Sequence, residues 1–462
     1  MKKVFGIIAL AVAVAACSKN AMAPGTVGQT GGAAGGITIT ATLAPKTGGT
    51  KAVTESGGNI VVDWAENEHL AILYQVSSTK YATDATITAV DGEGKATITF
   101  TVVGSTPDNT PCTIVYPLSA AKDDHSGVKD AATLLAAQDG TLNANLDVRV
   151  GAGTIRTATP SLEVSTQPAA QFAIFKFMVR LYDGTTAISP RQLTITIGTQ
   201  GYVITPATAT DVLYAALPAV DAQKVSFDAT DGSNRTYTCA KASTTFSAGY
   251  YYQSTLKMRE YVLMGEGHNL KWATCNVGAD NPQDYGNYYA WGEIAPKSID
   301  YVWSNYAWAV TNYDQLTKYC SNSSYGNGGF TDTLTELVAE DDAASVNWQS
   351  SWRIPTLTEW NALLDNTNFD RVWTENYNST GINGLVITSK VSGYVGNSIF
   401  FPAAGDKDHT PNDAGDKGSY WSSTLHTTYP NNAYYFISGS SYTPKTDYHN
   451  RCHGRPVRAV AN

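Results

Sequence analysis

The chain is 462 residues long, 43% hydrophobic but only 15% charged, with a formal net charge of -9. That length exceeds one ordinary domain, and the charged fraction falls well below the roughly 25% of soluble domains. Residues 1–259 carry 19 basic and 19 acidic side chains and residues 260–462 carry 12 and 21, so neither half offers a basic surface for nucleic acid. Only Trp64 precedes residue 260 whereas nine tryptophans follow it, which implies two regions with different surfaces in an extracellular, β-rich protein.

Lys2 and Lys3 head an apolar run, Val4 to Ala16, too short to cross about 30 Å of hydrocarbon as a helix. Residues 1–16 therefore read as a secretory signal peptide. Val14-Ala15-Ala16-Cys17 resembles a bacterial lipobox, which implies cleavage before Cys17, its acylation, and a lipid anchor at the outer membrane. Acyl chains contribute about 0.8 kcal/mol per buried methylene, so an acylated cysteine holds a domain on a membrane without a spanning helix. Residues 17–36 are rich in glycine and lack an apolar period, as a flexible tether does. The other cysteines, Cys112, Cys239, Cys275, Cys320 and Cys452, are odd in number and form no CxxC pair, so neither a disulfide pairing nor a zinc site follows from them.

From Ile37 to about Leu256 the apolar period is two, as in Ile37-Thr38-Ile39-Thr40-Ala41-Thr42-Leu43, Thr97-Ile98-Thr99-Phe100-Thr101-Val102 and Leu193-Thr194-Ile195-Thr196-Ile197. Threonine outward and aliphatic inward is the pattern of a half-buried antiparallel sheet. Asp91-Gly92-Glu93-Gly94 and Asp231-Gly232 mark turns between strands. One all-β sandwich, or two in tandem, accounts for residues 37–258.

Lys51-Ala52-Val53-Thr54, the stretch Val61-Val62-Asp63-Trp64 running on to Tyr74, and Ser247-Ala248-Gly249-Tyr250-Tyr251-Tyr252 resemble the fimbrillin-like lipoprotein pilins of Bacteroidales. The resemblance implies sandwiches of the transthyretin-like fimbrillin type. It also implies export as a lipoprotein, trimming by a trypsin-like protease, and polymerisation by β-strand addition with other pilin subunits as partners. On that reading Ile37 to Leu43 is the removable first strand and Ala44 to Lys51 the cleavable connection, cut at Lys46 or Lys51. Both are lysine where the family usually has arginine.

Beyond residue 260 aromatics are spaced through polar loops. Lys271-Trp272-Ala273-Thr274-Cys275-Asn276-Val277-Gly278, Tyr289-Ala290-Trp291-Gly292-Glu293, Ser351-Trp352-Arg353-Ile354-Pro355-Thr356, Phe400-Phe401-Pro402-Ala403-Ala404-Gly405, Tyr420-Trp421-Ser422-Ser423 and Arg455-Pro456-Val457-Arg458 resemble, in order, the Fibrobacter succinogenes major paralogous domain. That resemblance implies an α+β, C-type-lectin-like domain over residues 260–462. Thr356-Leu357-Thr358-Glu359 is a capping box, and Leu357, Trp360, Leu363 and Leu364 share a face, so a helix is expected over 356–365. A second helix is expected from Leu334 to Ala339, ended by Glu340-Asp341-Asp342. Most tryptophans read as core pins, each burying about 150–250 Å².

Asp406, Asp408, Asp413 and Asp416 lie between Gly405 and Gly418, just before Trp421, and make this the candidate ligand loop. Such spacing admits a calcium site, a calcium-free ligand surface or a solvated acidic loop. The Glu-Pro-Asn or Gln-Pro-Asp signature of calcium-dependent lectins is missing. His449 and His453 are four apart, a spacing that aligns metal ligands only on a helix, and Arg455 onward reads as a strand. Neither a Gly-x-Ser-x-Gly elbow nor a phosphate loop is present, and no cofactor is expected. The chain is thus expected to be a tip or accessory pilin with an adhesin-like head for a host or microbial glycan or protein. The alternatives are a monomeric outer-membrane lipoprotein that binds such ligands without a pilus, and a formylglycine-oxidase-like enzyme using Cys275 and Cys320.

Overall fold

The computed structural model describes residues 35–46, 54–56, 59–61, 63–267, 269–348 and 351–462. The expected signal peptide (residues 1–16), Cys17, the tether up to residue 34, and Lys51 lie outside the described residues. Strands dominate. The first unit contains β1 (Ile37–Leu43), β2 (Thr54–Ser56), β3 (Asn59–Val61), β4 (His69–Val76), β5 (Thr79–Val90), β6 (Ala96–Val102), β7 (Thr110–Tyr116), the short helix α1 (Ala131–Leu135), β8 (Arg149–Arg156) and β9 (Ser161–Ala170). The larger sheet runs β1-β6-β5-β4-β7-β8-β9 and closes on itself. All seven residues of β1 pair antiparallel with β6, whereas its other edge meets β9 in parallel at one position, Thr40 opposite Ser161.

The sequence explains this unit. Ile39, Ala41 and Leu43 point inward and the intervening threonines outward, the alternation that a half-buried strand requires. In the β5–β6 turn the Asp91 carboxylate accepts the N–H groups of Glu93 and Lys95, and Gly94 takes φ +80°. The expected sandwich is here a closed barrel, because β1 fills the gap between β6 and β9. A barrel removes the exposed edges that an open sheet leaves.

The second unit is a sandwich: β10 (Ala173–Leu181), β11 (Pro190–Ile197), β12 (Gln200–Ile204), β13 (Val212–Leu217), β14 (Val220–Asp231), β15 (Thr236–Phe246) and β16 (Tyr251–Leu263). Phe175 and Phe177 of β10 meet Phe246 and Phe227 from the facing strands edge to face. β16 pairs in parallel with β10 over Tyr251–Met258 and then turns its later residues to β15 and to β17 (Lys271–Asn276). The expected boundary near residue 259 is therefore crossed by one continuous strand. Around it Lys271 reaches Asp228 at 2.7 Å, and the Arg259 guanidinium lies 3.9 Å from the Tyr182 ring and 3.8 Å from that of Trp348. β16 and β17 thus belong to one ten-stranded sheet that continues from β12 through to the strands Arg458–Ala461 and Trp352–Arg353, where a Gly/Pro linker would have interrupted it.

The third unit adds α2 (Ala343–Trp348), β18 (Trp352–Arg353), α3 (Leu357–Ala362), β19 (Phe369–Thr374), β20 (Gly384–Ser389), β21 (Ser398–Pro402), β22 (Asp406–Lys407), β23 (Pro411–Asn412), β24 (Lys417–Leu425), β25 (Asn432–Gly439), β26 (Tyr442–Asn450) and β27 (Arg458–Ala461). β27 is wedged between β17 and β18 with all four residues buried. The capping box forms as expected: Thr356 accepts from the Glu359 N–H and Glu359 reaches back to the Thr356 N–H.

The helix expected over Leu334 to Ala339 is absent. The helix starts at Ala343 instead, because Asp342 begins it: its Oδ1 accepts the N–H groups of Ala344 and Ser345, and its Oδ2 that of Ile354. An aspartate that satisfies free N–H donors belongs at a helix start, near the positive end of the dipole.

Candidate functional site

Two places combine unusual chemistry with position: the exit of β1, and the outer surface of the third unit. At the first, the chain leaves β1 at Leu43 and brings Lys46 back into the barrel end, where its side chain is 0% exposed. The ammonium lies 3.1 Å from Asp147 Oδ2 and 3.9 Å from Glu68 Oε2. It also faces the rings of Tyr116 at 3.8 Å and Trp64 at 4.4 Å, which meet each other edge to face. Trp64 Nε1 donates to the Ala44 carbonyl, and Tyr116 Oη donates to Glu68 Oε1 at 2.5 Å.

Arg149 completes the cage, its Nε 2.8 Å from Asp147 Oδ1. Burial pulls the Lys46 pKa below its ordinary value, opposed by the Asp147 and Glu68 charges. Burial, followed by the hydrogen bond to Glu68, pushes the Tyr116 phenol up and keeps it a donor.

Lys46, a candidate cut position, thus has its side chain enclosed in this cage, and the residues that follow it, 47–50, lie outside the described residues. The sequence showed Trp64 as an aromatic beside an acidic turn but gave no sign that Glu68 and Asp147 converge on one lysine.

In the third unit the candidate ligand loop is disassembled by its own partners. Asp406 Oδ2 is 2.9 Å from Arg455, Asp413 is 2.7 Å from Lys417, and Asp408 accepts from the His409 N–H and from Asn412, bonds that hold its carboxyl below the ordinary range. Asp416 is exposed. The four carboxylates do not converge. Among the described residues no group of three or more His, Cys, Asp or Glu side chains is arranged to hold a metal.

The loop is built from its backbone. Gly405 takes φ +64°, and a Cβ there would lie 1.9 Å from the Asn412 carbonyl oxygen. Trp421, expected beside the ligand, is 0% exposed and its Nε1 donates to the Tyr289 carbonyl. It is a core pin, as Trp272, Trp291, Trp352 and Trp360 are.

The exposed aromatic surface lies nearby, and sequence reading missed it. Tyr434 and Tyr448 are register partners on β25 and β26, and His426 sits 5.2 and 4.2 Å from their rings. Tyr429 lies nearly parallel to His426 at 5.2 Å. Tyr429 and Tyr448 are 45% and 42% exposed. His426 Nδ1 accepts the Tyr429 N–H, which fixes it as the acceptor nitrogen, and burial lowers the pKa of the ring. Flat, amphipathic rings of this kind stack on the apolar faces of sugars and still offer hydroxyls to water. The only sequence sign is the scattered Tyr and His; their meeting depends on the β25–β26 register.

His449 and His453 form a T-shaped pair 4.8 Å apart. Burial, with help from Arg455 and His449, pushes the His453 pKa down to about 4 from an ordinary 6.5. Between those values the unfolded chain binds a proton that the folded chain refuses, so the stabilisation is complete above pH 6.5 and is lost as pH falls toward 4. Thermal unfolding followed across that window should show a falling Tm, and His453→Gln should flatten the slope. An unchanged slope in the variant contradicts this assignment.

All five described cysteines are unpaired. Burial pushes the Cys275 and Cys320 thiols up, the reverse of the depressed pKa that activates a nucleophilic thiol.

No protein-family model matches the sequence, and no curated protein matches it. Among solved structures, a fimbrial assembly protein from Parabacteroides distasonis ATCC 8503 is 10% identical with a TM-score of 0.29, the match covering 49% of this chain and 94% of that one. A candidate cell adhesion protein from Bacteroides fragilis NCTC 9343 is 13% identical with a TM-score of 0.29, over 48% of this chain and 93% of that one. A fimbrial protein from Bacteroides ovatus ATCC 8483 is 11% identical with a TM-score of 0.23, over 92% of this chain and 99% of that one. Structural neighbours thus include Bacteroidales fimbrial and adhesion proteins, but at scores this low the functional reading rests on the chain's own geometry.

Proposed function

We propose that the chain is a surface pilin of tip or accessory type: a lipoprotein anchored through Cys17 at the outer membrane, whose first strand is exchanged for one from another subunit, and whose third unit is an adhesin-like head of C-type-lectin-like kind. The observation that carries this reading is the place of β1. It pairs fully along β6, touches β9 at one position, and supplies Ile39 and Leu43 to the barrel core, both 0% exposed. Losing each of those side chains forfeits about 1.5–3 kcal/mol of burial. A barrel emptied of β1 also shows unpaired backbone along β6, which a strand from another chain satisfies. Because Lys46 is caged, cleavage is assigned to Lys51, and the departing segment carries Lys46 with it.

β27 supports a terminal position in the polymer. It is held between two strands of its own unit, so it is not free to be given to a neighbour. The alternative, a monomeric ligand-binding lipoprotein, is favoured by the same Lys46 cage, because a caged strand end is well retained. No enzymatic step is assigned.

The ligand surface is placed on Tyr429, Tyr434, Tyr448 and His426 in preference to the aspartate loop. A glycan array with the purified chain tests it. Binding should persist in EDTA and fall about three- to tenfold on Tyr448→Ala; chelator-sensitive binding, or binding indifferent to Tyr429→Ala and Tyr448→Ala, contradicts that placement. Treatment with a trypsin-like protease tests the pilin reading: N-terminal loss followed by SDS-resistant oligomers is expected, and intact monomers throughout oppose it.

A further inference from the structure

We propose that the Lys46 cage is a cation-reading pocket, which selects a replacement strand bearing lysine or arginine three residues beyond its last inward apolar side chain. The inference rests on the proposed exchange of β1. In the closed barrel that spacing is Leu43 to Lys46, and the turn between them is held at two points: Trp64 Nε1 donates to the Ala44 carbonyl, and Gln167 Oε1 accepts the Ala44 N–H at 3.1 Å.

When β1 and Lys46 depart together, the barrel end keeps Asp147, Glu68 and Arg149, two carboxylates against one guanidinium. In the closed barrel, with Lys46 in place, the Asp147 and Arg149 side chains are only 2% and 3% exposed. An unmatched carboxylate in such a place is costly, and a cation from the incoming strand removes the mismatch. Trp64 and Tyr116 give the pocket two aromatic walls, which favour an ammonium or guanidinium over a neutral chain of equal size. Apolar pockets along β6 recognise any alternating strand, so the charge adds a register mark that hydrophobicity lacks. A one-residue slip moves the cation out of the cage and turns the apolar set outward at once.

The test uses the full chain with a site-specific protease sequence replacing residues 47–50. After cutting, the protein is incubated with excess fluorescent decapeptide of the sequence Ile37 to Lys46, or with the same peptide carrying norleucine for Lys46. The natural peptide should bind at least about tenfold more tightly, and Asp147→Asn should erase most of that preference. Equal binding of the two peptides to the unsubstituted protein overturns the cation reading and leaves strand exchange standing. Exchange of neither peptide into folded protein overturns both. Because the decisive comparison is made on the unsubstituted pocket, it holds even if Asp147→Asn folds poorly.

Discussion

Asp147→Asn should lower the stability of the N-terminal barrel by about 3–5 kcal/mol, because it leaves buried cations without their main partner. Lys46 and Arg149 both face this carboxylate, at 3.1 and 2.8 Å, with side chains 0% and 3% exposed. Glu68, 3.9 Å from Lys46, is the remaining anion and already accepts from Tyr116 and from the Ala65 N–H. Lys46→Met should cost less than Asp147→Asn, since it leaves the Asp147–Arg149 pair intact and keeps an apolar chain in the buried place of the lysine. Urea unfolding of the two variants measures the order. A smaller loss for Asp147→Asn than for Lys46→Met contradicts the assignment of Asp147 as the hub of the cage.

Arg455→Ala should have a comparable effect on the third unit, again about 3–5 kcal/mol. The guanidinium lies against the rings of Trp421 at 4.4 Å and Tyr435 at 4.1 Å, which themselves meet edge to face, and its side chain is 1% exposed. One edge holds Asp406 at 2.9 Å, which ties the Gly405–Gly418 loop to the core. Truncation opens a cavity beside the two rings and removes the side-chain tie of a loop that Lys407–Gly454 and Tyr301–Asp408 backbone hydrogen bonds also hold. Arg455→Met, which keeps the packing, should recover part of the stability but not the side-chain tie to Asp406. Limited proteolysis within residues 406–418 reads the attachment separately from global unfolding. Resistance equal to the wild type in both variants contradicts the proposed tie.

What the sequence made legible follows from how local the signals are. Period two in Ile37–Leu43, the aspartate turns at Asp91 and Asp231, and the capping box at Thr356 each depend on neighbours within a few residues, and each has its structural counterpart. Tryptophans placed between polar loops were readable as pins, because a loop-rich unit needs large rings to fill its core. Longer-range features were not legible. Closure of the barrel by β1 depends on where β9 arrives. The lysine cage draws on β1, β4, β7 and β8 or their flanks, and only folding puts Lys46, Glu68, Tyr116 and Asp147 within reach of one another.

The aspartate loop misled for the same reason. Carboxylates close in sequence suggested shared ligands, whereas Arg455 and Lys417 take two of them singly. Acidic residues favour the start of a helix, and the Ala344 and Ser345 N–H groups that Asp342 accepts place Glu340-Asp341-Asp342 before a helix, where the apolar residues from Leu334 to Ala339 suggest a helix that this run ends. The tyrosine surface at Tyr429, Tyr434 and Tyr448 emerges only with the β25–β26 register.

The central claim, that β1 leaves so that another strand enters, is tested most directly by locking it. Thr38 and Thr101 are register partners on the outer face of the barrel, their hydroxyls 3.3 Å apart. Antiparallel partners bring Cα atoms within the range that a disulfide spans, so Thr38→Cys with Thr101→Cys joins β1 to β6 without touching the core. Oligomer formation after protease treatment is then compared in oxidised and reduced protein. The account predicts that the oxidised form stays monomeric and that reduction restores SDS-resistant oligomers. Oligomers formed equally by the locked protein would contradict it.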